Sequence, residues 1–112
     1  MISYLAIPYT WSPEDSFRIA NKVAAKLMKE GKIIFSPISH SHVIADNLDE
    51  SLRTNHDFWM AQDLPILKLC DELLLIVVGK EGSDLIANSN GCSKEILTAI
   101  ENKIKINYYY DV

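Results

Sequence analysis

A chain of 112 residues, 48% apolar and 23% charged, has room for one domain around one core, and residues 1–112 read as that single domain. Sparse glycine and proline, four of each, exclude a collagen-like or low-complexity chain. The formal charge of −4 mixes Lys22, Lys26, Lys29 and Lys32 with acids, so no basic stripe follows a phosphate backbone and a nucleic acid polymer is not an expected partner.

Residues 1–7 (MISYLAI) form an apolar run of strand length that Pro8 ends. The run lacks the basic flank of a signal peptide, and the longest apolar stretch, residues 73–78, is far shorter than a membrane span. No membrane partner is expected, Cys70 and Cys92 read as free thiols, and the expected location is the cytoplasm.

Ser12-Pro13-Glu14-Asp15 reads as a helix start: a serine cap, proline at the first helical position and acids in the first turn. Phe17, Ala20, Val23, Ala24 and Leu27 follow at helical spacing, and Gly31 is the natural stop. Ile33-Ile34-Phe35 predicts a second, buried strand ended by Ser36-Pro37. Residues 38–54 read as a long polar loop with at most one helical turn. Residues 55–69 read as helical, with Pro65 either kinking the helix or restarting it near Leu64.

Residues 73–78 are uniformly apolar and predict a strand covered on both faces. A Gly-, Ser- and Asn-rich loop over residues 79–91 leads into a helix from about Cys92 to Asn102, and residues 104–108 make a last strand. Alternating strands and crossovers predict an α/β fold, a doubly wound parallel sheet in the order 2-1-3-4 with helices on both faces. Ligands of such sheets bind beyond the carboxyl ends of the strands, here Ile7-Pro8-Tyr9, Ser36-Pro37, Gly79 and the loop through Gly91.

Ser89-Asn90-Gly91-Cys92-Ser93-Lys94-Glu95 carries the strongest chemical signal. Unpaired N–H groups at a helix start favour an anion, and Gly91 lets the backbone approach a ligand. Glu95 is expected in the first turn, kept ionised by the helix dipole and available as a nucleophile, although a glutamate is also simply favoured there. Asp63 shares a helix side with His56 and Trp59; it reads as the second carboxylate of an acid and nucleophile pair, or as a solvated or capping acid. His40-Ser41-His42 sits in the long loop with Asp46 nearby, but lacks a third metal ligand at convincing spacing, so His40 and His42 read as ligand-facing and no metal is expected.

Tyr4-Leu5-Ala6, the Asp63-to-Asp71 interval and Ser89-x-Gly91-x-x-x-Glu95 together resemble the nucleoside 2-deoxyribosyltransferase superfamily, including its deoxynucleoside-monophosphate N-glycosidase branch. Residues 4–9 (YLAIPY), residues 36–42 (SPISHSH) and Phe58-Trp59 look most like a phage- and prophage-associated family of uncharacterised domains within it. The resemblance implies a flavodoxin-like sheet and an active site without a cofactor. It implies that Glu95 attacks C1′ of a deoxyribose, that Asp63 holds or protonates the leaving base, and that Ser89 and Gly91 meet a 5′-phosphate. Tyr4 would match an aromatic residue at the sugar and base site. Pro8 and Tyr9 stand where the monophosphate hydrolases carry a glycine-rich turn. A nucleoside or nucleotide is thus the expected substrate, and a non-catalytic nucleotide-binding protein or an assembly subunit is the competing expectation. The limited core of a short chain and the aromatic Tyr108-Tyr109-Tyr110 segment lead to an expected homodimer or larger homo-oligomer. The resemblance implies sites completed across subunits, any residue beyond the four predicted strands coming from a partner or being absent. Sedimentation at micromolar concentration should return a mass above that of one chain.

Overall fold

In a computed structural model, which describes residues 1–111, β1 (Ile2–Ala6) leads to α1 (Pro13–Lys29), β2 (Ile33–Phe35), α2 (Pro37–Ile44), a 3₁₀ turn (Ala45–Asn47) and α3 (Glu50–Arg53). The second half runs α4 (His56–Leu67), β3 (Glu72–Val78), α5 (Gly82–Ala87), α6 (Asn90–Glu101) and β4 (Lys105–Asp111). Pro13 opens α1 and Gly31, at φ +90°, follows its last turn, a backbone shape that an L side chain rarely adopts.

The strands form one parallel sheet in the expected order β2-β1-β3-β4. Strand alternation then divides the core in two. Tyr4, Ala6, Leu73, Leu75 and Val77 face Leu67 of α4, Ile86 of α5 and Cys92 and Ala99 of α6. Leu5, Ile7, Leu74 and Ile76 face Ile19, Ala20, Val23, Ala24 and Leu27 of α1. Helices therefore cover both faces of β1 and β3, which accounts for the unbroken apolarity of β3. This is a flavodoxin-like α/β arrangement. Among the described residues no helix is long and apolar enough to cross a membrane.

Several local expectations are corrected. β2 is an edge strand paired only with β1, so it is half-covered and Ile33 is 60% exposed, not buried. Most of residues 38–54 is helical, because Pro37 starts α2 and Asp49 precedes the single turn of α3. Pro65 neither stops nor restarts α4: Ala61 and Pro65 are both exposed, so water can satisfy the Ala61 carbonyl that lacks an N–H partner. The loop after β3 contains α5, seated so close to the sheet that a Cβ on Gly82 would lie 2.5 Å from Val77 Cγ1 and 2.9 Å from its carbonyl carbon. The last strand runs on to Asp111 through full parallel register with β3.

At the amino ends of the strands a buried carboxylate ties three of them together. Glu72 accepts from Ser3 Oγ of β1 at 2.6 Å and from the Asn107 amide of β4. Burial alone would raise its pKa, but these bonds and the nearby Lys32 and Lys105 outweigh it and hold the carboxyl below 4.5. Glu72→Ala should therefore cost about 1–3 kcal/mol at neutral pH, as read from urea midpoints. The folded pKa is the lower one, so this stabilisation is complete above the unfolded value of 4.5 and fades as pH falls through the folded value. Wild type and variant should converge in acid.

Candidate active site

The polar residues converge at the opposite, carboxyl end of the strands, around a cleft of about 660 Å³. Its walls are the β1–α1 turn, α2 with the following 3₁₀ turn, the start of α4 and the start of α6.

Ser89 caps α6, its Oγ accepting from Cys92 N at 3.1 Å, so the helix begins at Asn90, earlier than expected. That shift carries Glu95 past the first turn and into the interior, where it is 5% exposed. Tyr4, fully buried in β1 between Phe35 and the α4 and α6 face of the core, donates its hydroxyl to Glu95 Oε2 at 2.5 Å. Burial pushes the Glu95 carboxyl up to about 8; the Tyr4 donation opposes this and the nearby Asp63 charge adds to it. The expectation of a first-turn glutamate kept ionised by the helix dipole is thus overturned. The dipole's influence fades beyond the first turn, and desolvation dominates.

Asp63 is 7% exposed on α4 and lines the same cleft. Burial raises it to about 6, with His40 pulling the other way. It has no hydrogen bond within the described chain, yet no side-chain nitrogen or oxygen there is sealed from both solvent and partners. Its carboxylate is therefore open to a ligand. Burial holds both carboxyl groups above the ordinary carboxylate range, and the Asp63 charge adds to the rise at Glu95, so the two titrate as a coupled pair.

Tyr9, at the exit of β1, meets His42 Nδ1 at 2.6 Å. The imidazole stacks on Phe17 with centroids 4.2 Å apart, and its Nε2 lies 3.2 Å from Glu14. Pro8 is buried and reaches no cleft surface; its carbonyl accepts from Ser16 Oγ at 2.6 Å and Trp11 Nε1 at 2.8 Å, which fixes the turn that aims Tyr9. His40 and His42 lie on α2 and not in a loop. Two positions apart on a helix, they point to different sides. His42 lines the main cleft, whereas His40 is exposed and borders a side cavity of about 200 Å³ with Phe58, Trp59 and Asp63. Among the described residues no group of three or more His, Cys, Asp or Glu is placed to hold a metal ion.

Trp59 and Asp63 border both cavities, and the Trp59 indole is held by the Arg53 carbonyl at 2.8 Å. Gly91 lines the cleft, but its φ is not positive and a Cβ there would meet only Ser89 Oγ at 3.8 Å and Met60 Cε at 3.9 Å. Neither strain nor packing within the chain demands a glycine at that point. Sequence reasoning missed Glu14, Arg53 and Met60 as cleft residues. Glu14 had only the signal of a first-turn acid; the other two had none, because the wall they join is assembled from separate helices.

Fold and cleft together define a flavodoxin-like α/β domain with two buried carboxyl groups at the ligand end of its sheet. The chain belongs to the family described as "Domain of unknown function (DUF1937)", which matches residues 1–110. No match was found among curated proteins.

Carbon-13 NMR of the Glu95 carboxyl tests the electrostatics directly. Tyr4→Phe should move its pKa further up, whereas Asp63→Asn should move it down. Because the folded pKa of about 8 exceeds the unfolded 4.5, Glu95 makes the fold progressively less stable as pH rises through that window. Glu95→Gln should accordingly melt higher than wild type at pH 8, with the gap shrinking toward pH 4.5.

Proposed function

We propose that this domain cleaves or transfers the N-glycosidic bond of a nucleoside or nucleoside 5′-monophosphate, with Glu95 as nucleophile and Asp63 assisting the departing base. The observation that carries the reading is the pair of buried carboxyl groups on one cleft, one of them gripped by a buried tyrosine. Such pairs break glycosidic bonds through an oxocarbenium-like state.

In the first step the Glu95 carboxylate bonds to C1′ as the C1′–N bond breaks, and the bond's electron pair leaves with the base. The proton on the pair passes from Asp63 to the base nitrogen. In the second step water, or the nitrogen of another base, attacks C1′, Glu95 departs with its electrons, and the attacking group's proton returns to Asp63. The working state holds one proton shared by the pair. The reactive arrangement carries that proton on Asp63 and leaves Glu95 ionised, with the same total charge as the arrangement that has it on Glu95.

The high pKa of Glu95 also favours a second reading, a non-catalytic nucleotide-binding protein in which the neutral acid donates a hydrogen bond. Homo-oligomer assembly belongs to both readings and is supported by Tyr108 and Tyr110, 52% and 66% exposed on the edge strand β4.

Incubation with a panel of deoxynucleosides and monophosphates, followed by chromatography of free base, separates the two. Under the first reading kcat/KM is bell-shaped, with limbs near 6 and 8, the two pKa values of the empty site. Glu95→Gln abolishes base release, and Asp63→Asn slows it by about 10²–10⁴-fold, most for poor leaving bases. Asp63→Asn also loses the descending alkaline limb, because only ionised Glu95 is then required. Binding without base release for every substrate would leave the second reading.

A further inference from the structure

We propose that Tyr9 selects an unphosphorylated sugar: its phenol oxygen accepts a hydrogen bond from a sugar hydroxyl, and the acids beside it turn away a phosphate at that position. This rests on the reading of the cleft as a nucleoside site and specifies which substrates it takes.

The argument starts from the direction of protons. The His42 ring is fixed by its stack on Phe17, and its Nε2 faces Glu14, an acceptor, at 3.2 Å. In the neutral imidazole the proton therefore belongs on Nε2, which leaves Nδ1 as an acceptor. The partner of Nδ1 is the Tyr9 hydroxyl at 2.6 Å, which donates to this neutral tautomer. Tyr9 is kept in its phenol form, because burial and the charges of Glu14 and Asp46 raise its pKa. Its one proton is thus committed to His42, and the cleft meets only lone pairs. A ligand group that binds there must be a donor.

Charge sharpens the choice. Glu14 and Asp46, which border the cleft beside Tyr9, disfavour an anion at that end. Arg53 is the cation of the same cleft, on the segment that leads into α4, where its backbone carbonyl accepts from the Trp59 indole. The α4 wall also presents Trp59 and Met60, flat and polarizable surfaces suited to a base. The wall around Tyr9 instead carries the hydroxyls of Thr10 and Ser41, which suit a sugar. A neutral hydroxyl satisfies the lone pairs of Tyr9; a phosphate offers them only further lone pairs and negative charge.

Calorimetric titration in a Glu95→Gln background, which prevents turnover, tests the assignment with a deoxynucleoside, its 3′-deoxy and 5′-deoxy analogues and its 5′-monophosphate. The expected result is that removing one of the two hydroxyls weakens binding about fivefold to tenfold with Tyr9 present and leaves it unchanged in Tyr9→Phe. The monophosphate should bind more weakly than the nucleoside, with a smaller gap in Asp46→Asn. His42 acts here as a positioning residue, and His42→Phe keeps a ring on Phe17 while freeing the Tyr9 proton. That variant should shift the preference toward the monophosphate, a change that mere loss of structure would not produce. Equal losses with and without the Tyr9 hydroxyl, or tighter binding of the monophosphate by the His42 protein, would overturn the proposal while leaving base release by the wild type intact. Failure of every nucleoside both to bind and to release base would remove the underlying reading together with it.

Discussion

One hydrogen bond organises the functional end of the molecule: the donation from Tyr4 to Glu95 across the buried gap between β1 and α6. A carboxyl group nine-tenths or more removed from water is costly to ionise and costly to leave unpaired. Tyr4 meets the second cost and part of the first. Its ring is a full member of the core, so the hydroxyl is held by the same packing that holds the sheet. The position of Glu95 is in this way tied to the packed core of the sheet.

The two ends of the sheet treat the same side chain in opposite ways. Glu72 and Glu95 are both buried glutamates, 7% and 5% exposed. Glu72 has donors on two neighbouring strands and lysines close by, and its pKa is held down. Glu95 has one donor and a second acid as neighbour, and its pKa is driven up. The first carboxylate stabilises the fold, whereas the second is a local instability. Under the proposed function, that asymmetry separates a structural carboxylate at one end of the sheet from the reacting pair at the other.

The remaining walls show how little of a cleft is contiguous in the chain. Asp63 from α4, His42 from α2, Tyr9 from the turn after β1 and Gly91 from α6 meet because the parallel strands all deliver their carboxyl ends to one edge. α4 continues through Pro65, so Asp63 and Leu67 belong to one helix. The Tyr9 and His42 pair joins the turn after β1 to α2 on one wall of that cleft.

The amino-acid sequence by itself determined the class of fold, because crossover lengths, the apolar run of residues 73–78 and the Pro13 and Gly31 signals are local or periodic properties of the chain. It also singled out Glu95, Asp63 and Tyr4 by their motifs, but set the start of α6 near Cys92, two residues late. It did not determine the helix of residues 37–44, whose weak periodicity is stabilised by contact with α1 and β1, nor the exposure of β2, which depends on lying at the sheet's edge. Above all, it could not assign the charge state of Glu95. A glutamate near a helix start is ionised on local grounds; only the tertiary structure, by burying it beside Asp63 and beneath Tyr4, reverses that order, since desolvation is a property of what surrounds a residue and not of its neighbours in sequence.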